Sequence, residues 1–226
     1  MAQFVTVDGT SGEFIDTPDS AASSPTGDFA IAVKVAMIDW TPGSTDFFLS
    51  KLDDAPERAY ELGVNNTGFP FSRVSTDGTA LENDTGDAVW GASDGATLWV
   101  GVEYDFGTGI RYLTSSDGVS WAQVGSTETL TAASINDGNE LLTVGAKAGN
   151  SNQMAGNFYE AKIYSSADLT SGTVVVHLNA DDFTLGEGNN DTAVSSATGE
   201  TWTLHGDNTV IGADAGLGGM LLLGVG

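Results

Sequence analysis

Hydrophobic side chains recur along this chain at every second position far more often than at helical spacing. From Phe29 to Ile38 one face of an extended segment would carry Phe29, Ile31, Val33, Val35 and Met37, and the other Ala30, Ala32, Lys34, Ala36 and Ile38. That period predicts a half-buried central β-strand. Leu98 to Phe106 repeats it, with Leu98, Val100, Val102 and Tyr104 opposite Trp99, Gly101, Glu103 and Asp105. The second of those faces is polar enough for solvent or a ligand. Shorter runs of the same kind, such as "QFVTV", "DFFLSKL", "AYELGV", "IRYLTS", "FYEAKIY" and "TWTLHG", extend the pattern over most of the chain. An all-β chain follows, with one short helix expected at Ser166–Leu169.

Asp-Gly pairs beginning at Asp77, Asp94, Asp117 and Asp137 separate these runs. Such pairs accept the positive φ angles of tight turns, so they predict antiparallel hairpins. The pair inside "SSDGVSW", Ser115 to Trp121, also touches on chemistry, because the Asp-box of sialidase propellers reads S-x-D-x-G-x-[TS]-W. Here Gly118 follows Asp117 directly, one residue short of that spacing, and "SSATGETW" has Ala197 where the acid belongs. Without a repeat at blade intervals the stretch reads as a two-residue turn, with Trp121 packed beside it.

Composition narrows the picture. The 226 residues include 30 glycines, 5 prolines and no cysteine, which suits one sandwich-like core with many turns and excludes disulfides and thiolate metal sites. A single domain is expected over residues 1–211, followed by a Gly-rich apolar arm at 212–226 in which Met220, Leu221, Leu222 and Leu223 either pack back on their own sandwich or dock into a neighbouring subunit. Seven basic against 31 acidic residues give a formal charge of −24, which repels phosphate backbones and anionic headgroups and so argues against nucleic-acid binding. "MAQFVTVDGT" has neither a basic nor an apolar leader region, and no apolar run approaches the ~18 residues of a membrane span. The expectation is synthesis in a cytoplasm without a signal peptide.

Catalytic patterns are sparse. Glu103 and Asp105 in "VEYDFG" share a strand face, but Gly107 and Thr108 stand where a third acid of an alternating E-x-D-x-x-E set would fall. His177 and His205 have no second histidine at metal-binding spacing, and no Ser-His-Asp set is evident. Sugar binding needs an exposed ring beside polar groups. Among the five tryptophans, Trp40 in "IDWTPG" and Trp90 in "AVWGAS" sit in loop-like contexts and are the platform candidates.

The run "FIDTPDSAASSPTGDFAIAVKVAMIDWTPGSTDFFLSKLD", Phe14 to Asp53, resembles the opening of laminin-G-like, concanavalin A-like jelly rolls. The segments Tyr60–Thr79, Thr97–Ser126 and Leu141–Tyr164 are similar to the strands that follow. Asp182–Gly206 resembles a segment of such domains in tailed-phage structural proteins. The resemblance covers roughly residues 13–211 and implies a two-sheet antiparallel sandwich of the lectin/glucanase type. It leaves calcium open as an ion at a loop rim, where Asp181, Asp182 and Asp191 of "NADDF" and "EGNND" are the candidate ligands; no other cofactor is implied.

It also implies a non-enzymatic virion structural protein of a tailed virus: a head decoration, fibre or tail component. The expected partners are other virion proteins, further copies of the chain with a trimer in view, and host-surface glycans. A carbohydrate-binding module or lectin without a structural role is the alternative, and a glycoside hydrolase using Glu103 comes third.

Overall fold

The computed structural model describes residues 2–147, 151–207 and 209–212. Among them the chain forms sixteen strands and one short 3₁₀ helix, Ala180–Asp182. The strands are β1 (Gln3–Asp8), β2 (Phe14–Thr17), β3 (Phe29–Met37), β4 (Asp46–Lys51), β5 (Tyr60–Val64), β6 (Pro70–Val74), β7 (Glu82–Thr85) and β8 (Thr97–Asp105). There follow β9 (Gly109–Ser115), β10 (Ala122–Glu128), β11 (Leu142–Val144), β12 (Ala155–Tyr164), β13 (Val174–Asn179), β14 (Thr192–Val194), β15 (Thr201–His205) and β16 (Thr209–Gly212).

The strands make two eight-stranded antiparallel sheets, the jelly-roll sandwich expected from the alternation. The first runs β10-β9-β8-β3-β12-β1-β16, with β13 also paired to β12 beyond the end of β1; the second runs β14-β15-β2-β11-β4-β5-β6-β7. β3 lies at the centre of the first sheet, and its Phe29, Ile31, Val33, Val35 and Met37 face inward as their spacing predicted. They meet Tyr60, Leu62, Val64, Phe48, Val144, Ile15, Trp202 and Leu204 of the second sheet in one continuous core. Polar ties cross that core: the Tyr104 hydroxyl donates to the Glu61 carbonyl at 3.1 Å, and the Tyr112 hydroxyl reaches Asp84 at 2.7 Å and Ser72 at 2.8 Å.

Both sides of the sandwich are closed by connections. On one side the Asp87 carboxylate accepts from the Ser126 amide and hydroxyl, and Glu82 accepts from the amides of Thr131 and Ala132. On the other, the Val210 amide donates to the Glu187 carbonyl and the Val210 carbonyl accepts from Gly186, so the β16 backbone is engaged there as well.

Two local expectations need correction. No helix forms at Ser166–Leu169; that segment is a turn in which Asp168 accepts from the amides of Thr170 and Ser171. The Asp117-Gly118 pair does not make a two-residue hairpin either. Residues 116–121 form a longer loop, because Asp117 Oδ1 takes the amides of both Val119 and Ser120 and β10 begins only at Ala122. Those bonds hold the exposed Asp117 carboxyl well below the usual carboxylate range. Trp121 does pack nearby, edge-on to Trp99 at 6.3 Å. Among the described residues no helix is long and apolar enough to cross a membrane.

Candidate functional site

Alternation along a strand sends every second side chain of the second sheet away from the core, and antiparallel pairing sets those side chains side by side across the strands. The register here lines up Thr192, Thr203, Asp16, Thr143, Ser50, Glu61, Arg73 and Asn83, one from each of the eight strands from β14 to β7. Every member of this row is polar. At strand spacing it extends about 34 Å.

The middle of the row is covered. Thr143 Oγ1 donates to the carbonyl of Ala146 at 2.9 Å, and Asn152 donates from its side-chain amide to Thr45 and accepts the Phe47 amide at its carbonyl, so Ala146 and Asn152 of the β11–β12 connection are tied to β11 and to the start of β4. Ser50 and Glu61 are completely buried. Burial raises the Glu61 carboxyl to about 7 despite the opposing pull of Arg73, Lys147, the Ser50 hydroxyl and Arg58. Arg73 Nε stands 2.8 Å from Glu61 Oε1 in an ion pair whose N–H is not aligned on the oxygen. The guanidinium carbon lies 5.4 Å from the Phe47 ring centre and 4.9 Å from that of Phe71. Two cation–π contacts thus hold a charged fork that is still 23% exposed.

Further along the same face, His205 stacks on Phe14 with ring centres 4.4 Å apart and places Nε2 3.1 Å from Asp16 Oδ2. Beyond the covered stretch, Phe71 and Thr203 are half-buried and Asn83, Thr85 and Thr192 are exposed. The arrangement offers hydroxyls, an amide, a guanidinium and a ring edge on one surface, the set of groups that recognises a polyol.

The residues singled out from sequence lie elsewhere. Trp40 and Trp90 are 3% and 4% exposed and flank Phe48 in the core at 6.0 and 6.4 Å, so neither presents a ring to solvent. Their backbones are pinned to Asp94 Oδ1 and the Gly68 carbonyl, and the large apolar indoles bury themselves even though neither Nε1 finds a partner among the described residues. The platform assignment is therefore corrected.

The three candidate metal ligands each hold a backbone amide. Asp181 Oδ1 accepts the Gln3 amide of β1, Asp182 Oδ2 the Ser196 amide beyond β14, and Asp191 Oδ2 the Gly188 amide of its own turn. Among the described residues no three potential ligands converge. Glu103 is fastened by Oε1 to the Leu169 amide at 2.9 Å and by Oε2 to Arg111 at 2.7 Å, an arrangement that docks the 165–173 connection over β8. The outer face of β8, expected to be open, is thus covered by Leu169 and Trp121. The docking arm at Met220, Leu221, Leu222 and Leu223 lies outside the described residues.

No family model matches the chain, and no curated protein matches its sequence significantly. Solved structures do share the fold. A Bacteroides ovatus protein assigned to carbohydrate binding superposes with a TM-score of 0.62 at 12% identity over 95% of this chain, which spans 61% of that protein's length. A heptameric SAP-like pentraxin from Limulus polyphemus gives 0.52 at 10% identity over 75% of this chain and 79% of its own. Domain 4 of an extracellular arabinanase from Geobacillus stearothermophilus, in complex with arabinotriose, gives 0.51 at 15% identity over 74% of each chain.

Proposed function

We propose that the chain is a non-enzymatic, lectin-like module that binds a glycan on the outer face of its second sheet. The observation that carries this reading is the polar row crossing all eight strands, with Arg73 wedged against Phe47 and Phe71 at its more open end. Sugars are held by hydroxyls bonded to fixed polar groups and by carbon–hydrogen groups set against aromatic carbon, and this surface supplies the polar groups beside the half-buried Phe71 ring. The fold it shares with a protein assigned to carbohydrate binding and with an arabinotriose-bound domain supports the same reading.

A glycan array with the wild-type chain, Arg73→Ala and Phe71→Ala tests it. Binding to a defined glycan set that falls in both variants is expected. Binding that survives both, or no binding by the wild type, overturns the assignment. Hydrolysis of a bound glycan that disappears in Glu61→Gln would make the site catalytic instead.

The setting proposed for the module is the surface of a tailed-virus particle, on the strength of the sequence resemblance of Asp182–Gly206. The apolar end Met220–Leu223 would fasten it to other virion proteins. Removing residues 220–226 is expected to leave the fold intact and abolish incorporation into particles; unchanged incorporation would remove that role from the arm, and absence of the full chain from purified particles would remove the setting.

A further inference from the structure

We infer that Arg73 forms an anion subsite that takes the carboxylate of an acidic sugar. This rests on the glycan-binding reading above and names the ligand class for that site. The chain carries only 7 basic residues against 31 acidic ones, so most of its surface repels an anionic oligosaccharide. Beside the buried Glu61, however, stands Arg73, its Nε 2.8 Å from Glu61 Oε1, one of only seven basic residues in the chain.

Arg73 is built to receive an anion. Its Nε faces Glu61, its plane is held by the rings of Phe47 and Phe71, and its two terminal nitrogens have no hydrogen-bond partner among the described residues. A planar fork whose position is already fixed matches the two oxygens of a carboxylate and loses little entropy on binding it.

Glu61 sets how much of this positive charge a ligand meets. The groups set beside it by register are Arg73 of β6 and Ser50 of β4; Lys147 and Arg58, whose guanidinium is bonded to the Asp53 and Thr79 carbonyls, also favour its ionised form, and Asp16 and His205 lie further along the row. When Glu61 is ionised it neutralises Arg73 in part, and when it takes up a proton the guanidinium faces the ligand unopposed. Since burial places that proton uptake near neutrality, affinity for an acidic sugar is expected to rise as pH falls from 8 to 6.

The experiment compares matched probes that differ in charge: oligogalacturonate against its methyl ester, and sialyllactose against lactose, titrated by calorimetry at pH 6 and pH 8. The wild-type chain is expected to prefer an acidic member by roughly tenfold or more at pH 6, the range for a charge-assisted pair. The preference should narrow at pH 8, and the pair that shows it tells a uronate from a sialate ligand.

Glu61→Gln should hold the pH 6 affinity at both pH values. Arg73→Gln should erase the preference, and Arg73→Lys, which keeps the charge and the fold but loses the fork, should recover only part of it. Equal binding of charged and neutral members overturns the subsite and leaves the glycan reading standing. An acidic preference unchanged in Arg73→Gln and Arg73→Lys also overturns it, and binding of none of the four probes counts against the subsite, with the glycan array deciding the wider reading separately.

Discussion

The Tyr112 hydroxyl of the first sheet lies 2.7 Å from Asp84 and 2.8 Å from Ser72, both on the second, so one phenol joins the two layers through two hydrogen bonds. Burial raises the Asp84 carboxyl, and the bond from Tyr112 draws it back toward its usual range. Tyr112→Phe keeps the ring and removes only the oxygen, leaving Ser72 and a half-buried Asp84 without this partner. A loss of about 1–3 kcal/mol is expected in a denaturant titration, with the denaturant slope unchanged.

Glu61 gives a pH dependence whose sign is opposite to that of a salt-bridged surface acid. Its carboxyl stands at about 7 in the folded chain against an ordinary 4.5, so between those values the native state binds a proton that the unfolded state releases. That contribution is fully present below about pH 4.5 and is lost as pH rises through 7, a cost of roughly 3 kcal/mol by pH 9 at 1.36 kcal/mol per pH unit. Glu61→Gln should therefore match the wild type near pH 5 and exceed it by ~1–3 kcal/mol at pH 9, as read from unfolding curves at the two pH values.

Trp40 and Trp90 are assigned to the core, which predicts damage to stability before any damage to binding. Trp90→Ala or Trp40→Ala should cost about 3–5 kcal/mol, the range for emptying a buried indole site. Trp90→Phe should cost less, since it keeps most of the packing against Phe48 and Tyr112 and removes an Nε1 that has no partner among the described residues. Calorimetric melting of the three variants separates these outcomes.

A Cβ placed on Gly101 would come within 2.5 Å of Leu169 Cδ1 and 3.1 Å of both Trp121 and the Ile31 carbonyl. Gly101→Ala is accordingly expected to lift the 165–173 connection, whose anchor is the Glu103–Leu169 bond, and to destabilise the fold by about 1–3 kcal/mol. Limited proteolysis should then cut within 165–173 well before the rest of the chain.

The strands were legible because their signal is local: a buried strand such as β3 writes its two faces into alternate residues, and that period needs no partner to be read. Glu61 and Arg73 were available in the same way, each a charged residue set between apolar or small inward-facing neighbours in "YELGV" and "FSRV". Their meaning was not legible, since they face each other only through the β5–β6 register, and the full row depends on seven pairings at sequence separations that no local pattern encodes. Trp40 and Trp90 misled for the converse reason. Loop-like flanking residues place the backbone at the surface, whereas the Asp94 side chain and the Gly68 carbonyl, both distant in sequence, hold the backbones of two residues whose indoles turn inward. The Asp117 loop shows a third limit: an Asp-Gly pair permits a tight turn, but the side chain's own bonds to Val119 and Ser120 select a longer one.

A strand at the border of a sheet offers a row of unpaired amides and carbonyls to any extended chain that drifts past. In this molecule β14 is three residues long, β7 is four and carries Glu82 and Asp84, β10 is clasped by Asp87 across Ser126, and the β16 backbone at Val210 is already engaged by residues 186–187. At these four borders, among the described residues, little free backbone is left on which a second copy could nucleate a ladder. A carpet of these modules, crowded at high surface density, should stay a set of separate units whose neighbours touch through side chains and never fuse into a continuous sheet.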